Sequence, residues 1–499
     1  IWNVALTNTE VSNLYTYENN AANDFSLPPI TPFVTTWQTD GSNNIIIPLT
    51  GGSYDFTIDW GDGTTETKTG TPGNISHTYS TAGVKTVSIT PNIATGFPRI
   101  YVNNFGNRNL LQTIESWGSG QWGASVDRTF YGAANLEVNA TDIPDFSATT
   151  NFQYMFLNCS SVTGTNGFTN WTLNTNPTAT ISFSNMFQSA TLFNGDISNW
   201  DVSRVNKFDN MFNNAASFNQ NIGSWNVANA TNMSSMFRNA DAFNIDISAW
   251  DVSLVTNMTE MFSYNDLFNK NLSNWNVSSV TNMNFMFFRT ANFNSPLNWG
   301  NKTGNVTNMS GMFKEAVVFN QDIGNWDVSS VTNLGYMFRS AIAFNKDLSN
   351  WNVSSVTIMA EMFYGASGFN SPLNWGNKTA SVTNMSTMFY GASTFNQDLN
   401  SWNVSSVITF GQMFHGAQAF NENISNWQFT TDVTKTISMA SMFRNASSFN
   451  QDISGWNVKR VNQMQRMFQN TPFNQDISSW DISRVSNLQY FLSDAKLSR

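Results

Sequence analysis

From about residue 142 to the carboxyl end the chain restates one phrase with small changes, and the copy FNKNLSNWNVSSVTNMNFMF, Phe268 to Phe287, shows the whole of it. The Met-Phe pairs end at Phe187, Phe212, Phe237, Phe262 and Phe287, a strict step of 25 residues. They continue at Phe313, Phe338, Phe363, Phe389, Phe414, Phe443 and Phe468. A unit of this size cannot bury an apolar face alone, so each unit must use its neighbours as the walls of its core.

A fixed period of this length predicts an α/β solenoid of leucine-rich-repeat type, built from strand-helix units. Ile197, Trp200 and Val202 have the spacing of its short strand, with Trp in a leucine position. The alternation puts Asp201 and Ser203 on the opposite, wet face. Val280, Met283, Met286 and Phe287 then recur at helical spacing, with Ser278 placed to cap the first free amides. The expected unit is one strand, one short helix and two corners.

An Asn follows the second Phe of each unit, as at Asn219, Asn244, Asn269, Asn320, Asn345 and Asn396. A short amide can bond the backbone of its own corner and of the next, so this column reads as a structural ladder. The Trp and Phe columns read as core.

Charge and composition narrow the partners. Net charge is -10, and only 11% of residues are Asp, Glu, Lys or Arg, so the surface is mostly Asn, Ser, Thr and Gln. That balance disfavours nucleic acid and anionic membrane, and no apolar run reaches the length of a membrane span. Cys159 is the one cysteine and has no partner for a bridge. The first residue is Ile, which suggests a removed leader or a start partway along a precursor.

Four regions follow from the text. Residues 1–29 form an extension in which Trp2, Val4 and Leu6 alternate like a strand, docked on the next domain or on another molecule. Residues 30–105 read as a small antiparallel β-sandwich, with strand candidates at Ile45 to Ile47, Tyr54 to Ile58 and Val84 to Ile89 between Gly, Asn, Asp and Pro turns. Residues 106–141 resemble worn repeat units and read as an amino-terminal cap. Residues 142–499 are the repeats. Their insertions fall between Trp and Met-Phe, in Gly300 to Asn305, Gly376 to Ser381 and Gln428 to Lys435.

DFTIDWGDG and ISHTYSTAGVKTVSI resemble the PKD domain, an immunoglobulin-like module of secreted and surface proteins. That resemblance implies Asp side chains ordering the turns and a half-buried His77. FNQDISGWNV, Phe449 to Val458, and the variants of VTNMSSMF resemble the BspA-like leucine-rich-repeat surface proteins, whose repeat is also known from mycoplasma lipoproteins as DUF285. The pairing is similar to surface proteins of marine Bacteroidetes-type bacteria. It implies an exported, extracellular or cell-surface protein that adheres to host proteins, matrix or other cells, and it brings no catalytic residue.

The residues themselves offer no enzyme motif: there is no phosphate loop, no GxSxG, no HExxH, and His77 and His415 lie in separate parts of the chain. No cofactor is indicated. Asp59, Asp62 and the recurring Asp before the Ile supply oxygens hard enough for a structural calcium ion, though no DxDxDG-type loop is present; the metal stays open. Two classes remain, recognition of a surface protein or polysaccharide, and a self-associating subunit of a layer, fibre or appendage. The basic corner of Lys302, Lys378 and Lys435 is the candidate contact for an acidic partner, with tolerated insertions as the bland reading. The outward pair Asp327 and Ser329 represents the alternative face, suited to a weak multivalent contact.

Overall fold

The computed structural model describes residues 30–495, except Asp40, Pro72, 94–96, Phe105, Thr175 and Pro177. The extension 1–29, and with it the expected strand at Trp2, Val4 and Leu6, lies outside the described residues.

The amino-terminal region begins with β1 (Phe33–Thr39), β2 (Asn44–Ile47), β3 (Tyr54–Asp59), β4 (Thr65–Gly70), β5 (Ile75–Thr78) and β6 (Gly83–Pro91). In β1 the residues Phe33, Thr35, Trp37 and Thr39 are buried and those between them are not, the two-residue period of a strand with one dry face. The β3–β4 hairpin is tied by side chains: Asp59 Oδ1 accepts from Gly61 N–H at 2.9 Å and Asp62 Oδ1 from Thr64 N–H at 3.0 Å. Gly61 has φ +76°, and a Cβ there would stand 2.3 Å from the Thr86 carbonyl oxygen, so this turn needs glycine.

The main sheet has the order β4-β3-β6-β1-β7-β8, where β7 is Leu111–Ser116 and β8 is Glu137–Val138; β2 pairs separately with β5. β7 runs antiparallel to β1, with Trp37 opposite Leu111, and β8 runs parallel to β7. One strand thus belongs to the amino-terminal sheet on one edge and to the first repeat-like unit on the other. Beyond it the bridges are parallel and mostly one residue wide: Asn232 to Asn257, Asn257 to Asn282, Asn282 to Asn308, Asn308 to Asn333.

The expected strand-helix leucine-rich-repeat solenoid is not what the structure contains. No α-helix occurs among the described residues, and the helical segments are three short 3₁₀ turns, Arg108–Leu110, Gly300–Thr303 and Gly376–Thr379. The Met-Phe segment is a run of turns. In the unit around Phe237, amides close back three residues from Met236 to Met233, Arg238 to Ser235, Ala240 to Phe237 and Phe243 to Ala240, at 2.9–3.3 Å. Ser235 and Asn239 hold φ of 53° and 52°, and a left-handed residue every fourth position ends a helix before it can propagate. The amides between these closures reach the next unit: Met233 N–H to Asn257, Ser235 to Thr259, Phe237 to Met261 and Asn239 to Ser263, at 2.7–3.1 Å.

The expected strand is absent as well. Trp200 N–H closes on the Ile197 carbonyl at 3.2 Å and Val205 on Val202 at 2.9 Å, while Asp201 Oδ1 accepts from Ser203 N–H at 3.0 Å. These local bonds offer the backbone an alternative to a ladder. Ser278, read as a helix cap, instead donates its N–H to Asn276 Oδ1 at 3.3 Å. Burial still alternates from Trp200 to Val202, so the pattern that resembled a strand records burial only.

Inside the stack the two Phe columns lie face to face. Phe237 and Phe243 are 3.8 Å apart between ring centroids at 5°, and Phe237 meets Phe262 of the next unit at 5.9 Å. The wider contact between units has the spacing at which an aromatic pair adds about 0.5–1.5 kcal/mol beyond the area it buries.

Candidate functional site

Four features of the repeat can be placed from the residues upward: the Asn column, the Lys corner, the Asp-Ser pair and the outer face of the Met-Phe turns.

In the Asn column each side-chain oxygen accepts the backbone N–H of the next Asn. The steps are Asn219 to Asn244 at 3.0 Å, Asn244 to Asn269 at 3.2 Å, Asn294 to Asn320 at 2.9 Å, Asn320 to Asn345 at 3.0 Å and Asn370 to Asn396 at 2.8 Å. The column stands at a corner open to solvent: Asn320 and Asn396 are half-buried, and Asn219, Asn269 and Asn345 are exposed.

Lys302 and Lys378 sit in the two 3₁₀ turns and bend back over the preceding unit. Lys302 Nζ lies 3.5 Å from the Trp275 carbonyl oxygen and Lys378 Nζ 3.4 Å from that of Trp351. Lys435 is exposed in its own longer loop. Asp327 Oδ1 accepts from Ser329 N–H at 2.9 Å, and the Asp327 backbone is clamped by Gly300 and Thr303 at 3.2 and 2.9 Å. Asp327 and Ser329 therefore form a turn against the same corner as Lys302.

The Asp residues before the Ile and after the Trp accept turn amides throughout. Hydrogen bonds from Ser248 hold the Asp246 carboxyl below its usual range, and those from Ser253 do the same for Asp251. Asn271 and Asn423 make the same turn bond where they replace Asp, to Ser273 at 2.9 Å and Ser425 at 2.8 Å. The column asks for a short acceptor, charged or not.

In the amino-terminal region His77 Nε2 lies 2.8 Å from Asp62 Oδ2 and its ring stacks on Trp60 at 5.0 Å. That hydrogen bond is the main cause that holds the Asp62 carboxyl down to about 2. Burial pushes the Cys159 thiol up. Among the described residues no group of three or more His, Cys, Asp or Glu is arranged to hold a metal ion, and no helix is long and apolar enough to cross a membrane.

The outer face of the Met-Phe turns is the feature that reading the inserted loops alone does not find. Three positions per unit lie there, the residue before Met-Phe and the two just after it. Glu260, Phe285, Tyr336, Glu361 and Gln412 occupy the first, all with φ between 53° and 62°. Arg238, Phe288, Lys314, Arg339, Tyr364, Tyr390, His415 and Arg444 occupy the second. They interlock along the stack. Tyr264 lies between Arg238 and Arg289, at 5.3 and 5.2 Å from its ring centre, and Lys314 is 4.6 Å from that of Phe288. Arg339 covers Tyr364 at 4.5 Å, Tyr364 stacks on Tyr390 at 4.5 Å, and Tyr390 meets His415 at 4.4 Å. Arg238 pairs with Glu260 at 3.2 Å, Arg289 with Glu315 at 3.4 Å, and Arg339 with Glu361. His415 is held down to about 4, by burial first and then by the Arg444 charge. The signal was present in the sequence, since these positions vary within a phrase that otherwise hardly changes.

The comparisons with known proteins bear on the repeats. The family described as "Mycoplasma protein of unknown function, DUF285" matches residues 150–263, 242–303, 298–381, 374–435 and 429–498. No curated protein and no solved structure matches the chain. With the family covering more than half of its length, this repeat protein belongs to the DUF285 family.

Proposed function

We propose that this chain is a bacterial, extracellular or cell-surface recognition protein that binds a surface protein or polysaccharide and acts by binding, not catalysis. The contact is assigned to the outer face of the Met-Phe turns. A single observation carries this reading: Phe285, Tyr336 and Glu361 hold left-handed backbone, at φ 53°, 62° and 59°, a conformation that in general favours Gly or Asn. A side chain with a Cβ costs about 1–2 kcal/mol in that region, and the same position is Asn210 or Gly311 in other units. Glu361 pairs with Arg339 and the Phe285 ring packs on Gly311 and Phe288, yet other units hold the same backbone without a ring or a charge here, so we read these groups as serving a partner as well as their neighbours. Aromatic and Arg side chains held in place by a repeated frame are the groups that anchor interfaces. The BspA-like text of the repeats and a PKD-like module at the amino end, with its Asp59 and Asp62 turns, belong to the same reading.

The test compares two faces of one protein. Binding to bacterial and host cells, and to panels of surface polysaccharides and proteins, is measured for a Phe285→Asn, Tyr336→Asn, Tyr364→Ser variant and for a Lys302→Ser, Lys378→Ser, Lys435→Ser variant. Loss of binding in the first with retention in the second supports the turn face. The reverse result moves recognition to the lysine corner, and retention by both folded variants removes the reading.

A further inference from the structure

Where the amino-terminal sheet meets the first units, a cavity of about 340 Å³ opens between Tyr54, Phe97, Arg99, Ile100, Trp122 and Thr129. Its size lies at the small end of the range of ligand pockets, about 300–1,000 Å³. Trp122 is 2% exposed, with its ring 4.5 Å from Phe97 and 5.4 Å from Phe33, yet its Nε1 has no hydrogen-bond partner.

That omission is particular to this site. Every other tryptophan among the described residues donates its indole N–H: Trp37 to Thr35, Trp60 to Glu66, Trp117 and Trp171 to the Gly167 carbonyl, and the repeat column to carbonyls of preceding units. A buried donor left unpaired is costly, because it has given up its bond to water and gained none in return. A second donor is in the same state: Arg99 Nε is buried without a partner, and Arg99 lines the cavity. Its Nη2 is 3.9 Å from the Asp127 carboxylate, which Arg128 already holds at 2.6 Å. Two guanidinium groups thus share one carboxylate, whose Oδ1 is itself buried without a partner, and Arg99 is the one charged residue that lines the cavity.

We propose that this cavity binds a ring-sized molecule bearing a carboxylate. Its ring packs among Tyr54, Phe97 and Trp122, and its carboxylate oxygens meet the unpartnered N–H groups of Trp122 and Arg99. A pocket with unpaired donors selects an acceptor and rejects a ligand without one, because the donors would again be left unmet. A uronic acid and a small aromatic acid share this chemistry. The site is independent of the turn face, so either assignment can fail alone.

The experiment is titration of the whole chain, ¹⁵N-labelled, with D-glucuronate, benzoate and D-glucose, observing the indole N–H resonances. Glucuronate or benzoate shifts one indole resonance, the one missing from the Trp122→Phe variant, and D-glucose leaves it in place. Arg99→Gln, checked by thermal unfolding, weakens the binding at least about tenfold. A response to glucuronate alone supports a sugar acid, and a response to benzoate alone an aromatic acid. No shift of that resonance with either acid at saturation, or an equal shift with D-glucose, overturns the proposal. If Trp122→Phe does not fold, undiminished acid binding by folded Arg99→Gln overturns it as well.

Discussion

The indole Nε1 of Trp351 lies 3.0 Å from the carbonyl oxygen of Ile323, the same oxygen that closes the turn from Trp326 N–H at 3.1 Å. One acceptor therefore fixes a turn in its own unit and fastens the next unit to it. The arrangement recurs from Trp225 on Ile197 to Trp480 on Ile453, at 3.1 and 3.2 Å. It explains why the repeat keeps a tryptophan at this position. Trp351→Phe keeps most of the buried ring and loses the donor, while the Ile323 oxygen retains its turn bond. Denaturant unfolding should show a loss of about 1–2 kcal/mol, against about 3–5 kcal/mol for Trp351→Ala, which also leaves a cavity.

The Asn ladder allows a sharper contrast. Asn320 supplies an oxygen to Asn345 N–H and gives its own N–H to Asn294. The site is half-buried, so water partly replaces the lost acceptor, and Asn320→Leu should cost about 0.5–1.5 kcal/mol. Asn320→Asp keeps the acceptor and should cost much less; equal losses for the two substitutions would show that the Oδ1 contact is not what matters.

Tyr336, at φ 62°, gives a prediction of opposite sign. Asn accepts left-handed backbone more readily than Tyr, so Tyr336→Asn should keep or raise stability by up to about 1 kcal/mol while binding to cells or to the partner falls. A variant both less stable and fully active would show that Tyr336 is there for the fold.

His415 governs an acid response. Its folded value is lowered to about 4, against about 6.5 in an unfolded chain. Between these values the unfolded chain binds a proton that the folded chain does not, so stability falls as pH drops from 6.5 toward 4 and levels off below. The site is half-exposed, and about 1 kcal/mol is expected after allowance for screening. His415→Gln should flatten this part of the curve, measured as the unfolding midpoint against pH.

Periodicity made the repeat boundaries, the core columns and the Asn ladder legible. It did not make the secondary structure legible, because Val280, Met283, Met286 and Phe287 face the core equally well from a helix or from consecutive turns that point inward every three to four residues. The deciding residues are the ones between, such as Asn210, Asn214 and Asn239, whose tolerance of positive φ supplies the turns. The same blindness hid the outer turn face. Once Met-Phe is assigned to a helix, Tyr364 and Tyr390 become unrelated surface residues one unit apart, whereas in the turn stack their rings lie 4.5 Å apart at 5°. The bent-back positions of Lys302 and Lys378 were likewise unreadable, since the Trp275 and Trp351 carbonyls they reach belong to other units.

The tryptophan column has an optical consequence. Trp299 and Trp326 lie 5.2 Å apart at 17°, Trp375 and Trp402 5.3 Å apart at 17°, and Trp427, Trp456 and Trp480 follow one another at 6.1 and 6.2 Å with planes within 4°. Indoles so close and so nearly parallel share their excited states. Light absorbed by one will be emitted by another farther along, and their coupled transitions will give a circular-dichroism couplet that no isolated tryptophan produces. Loss of that couplet reports the parting of neighbouring units directly, where the described residues hold no α-helix whose bands could report it.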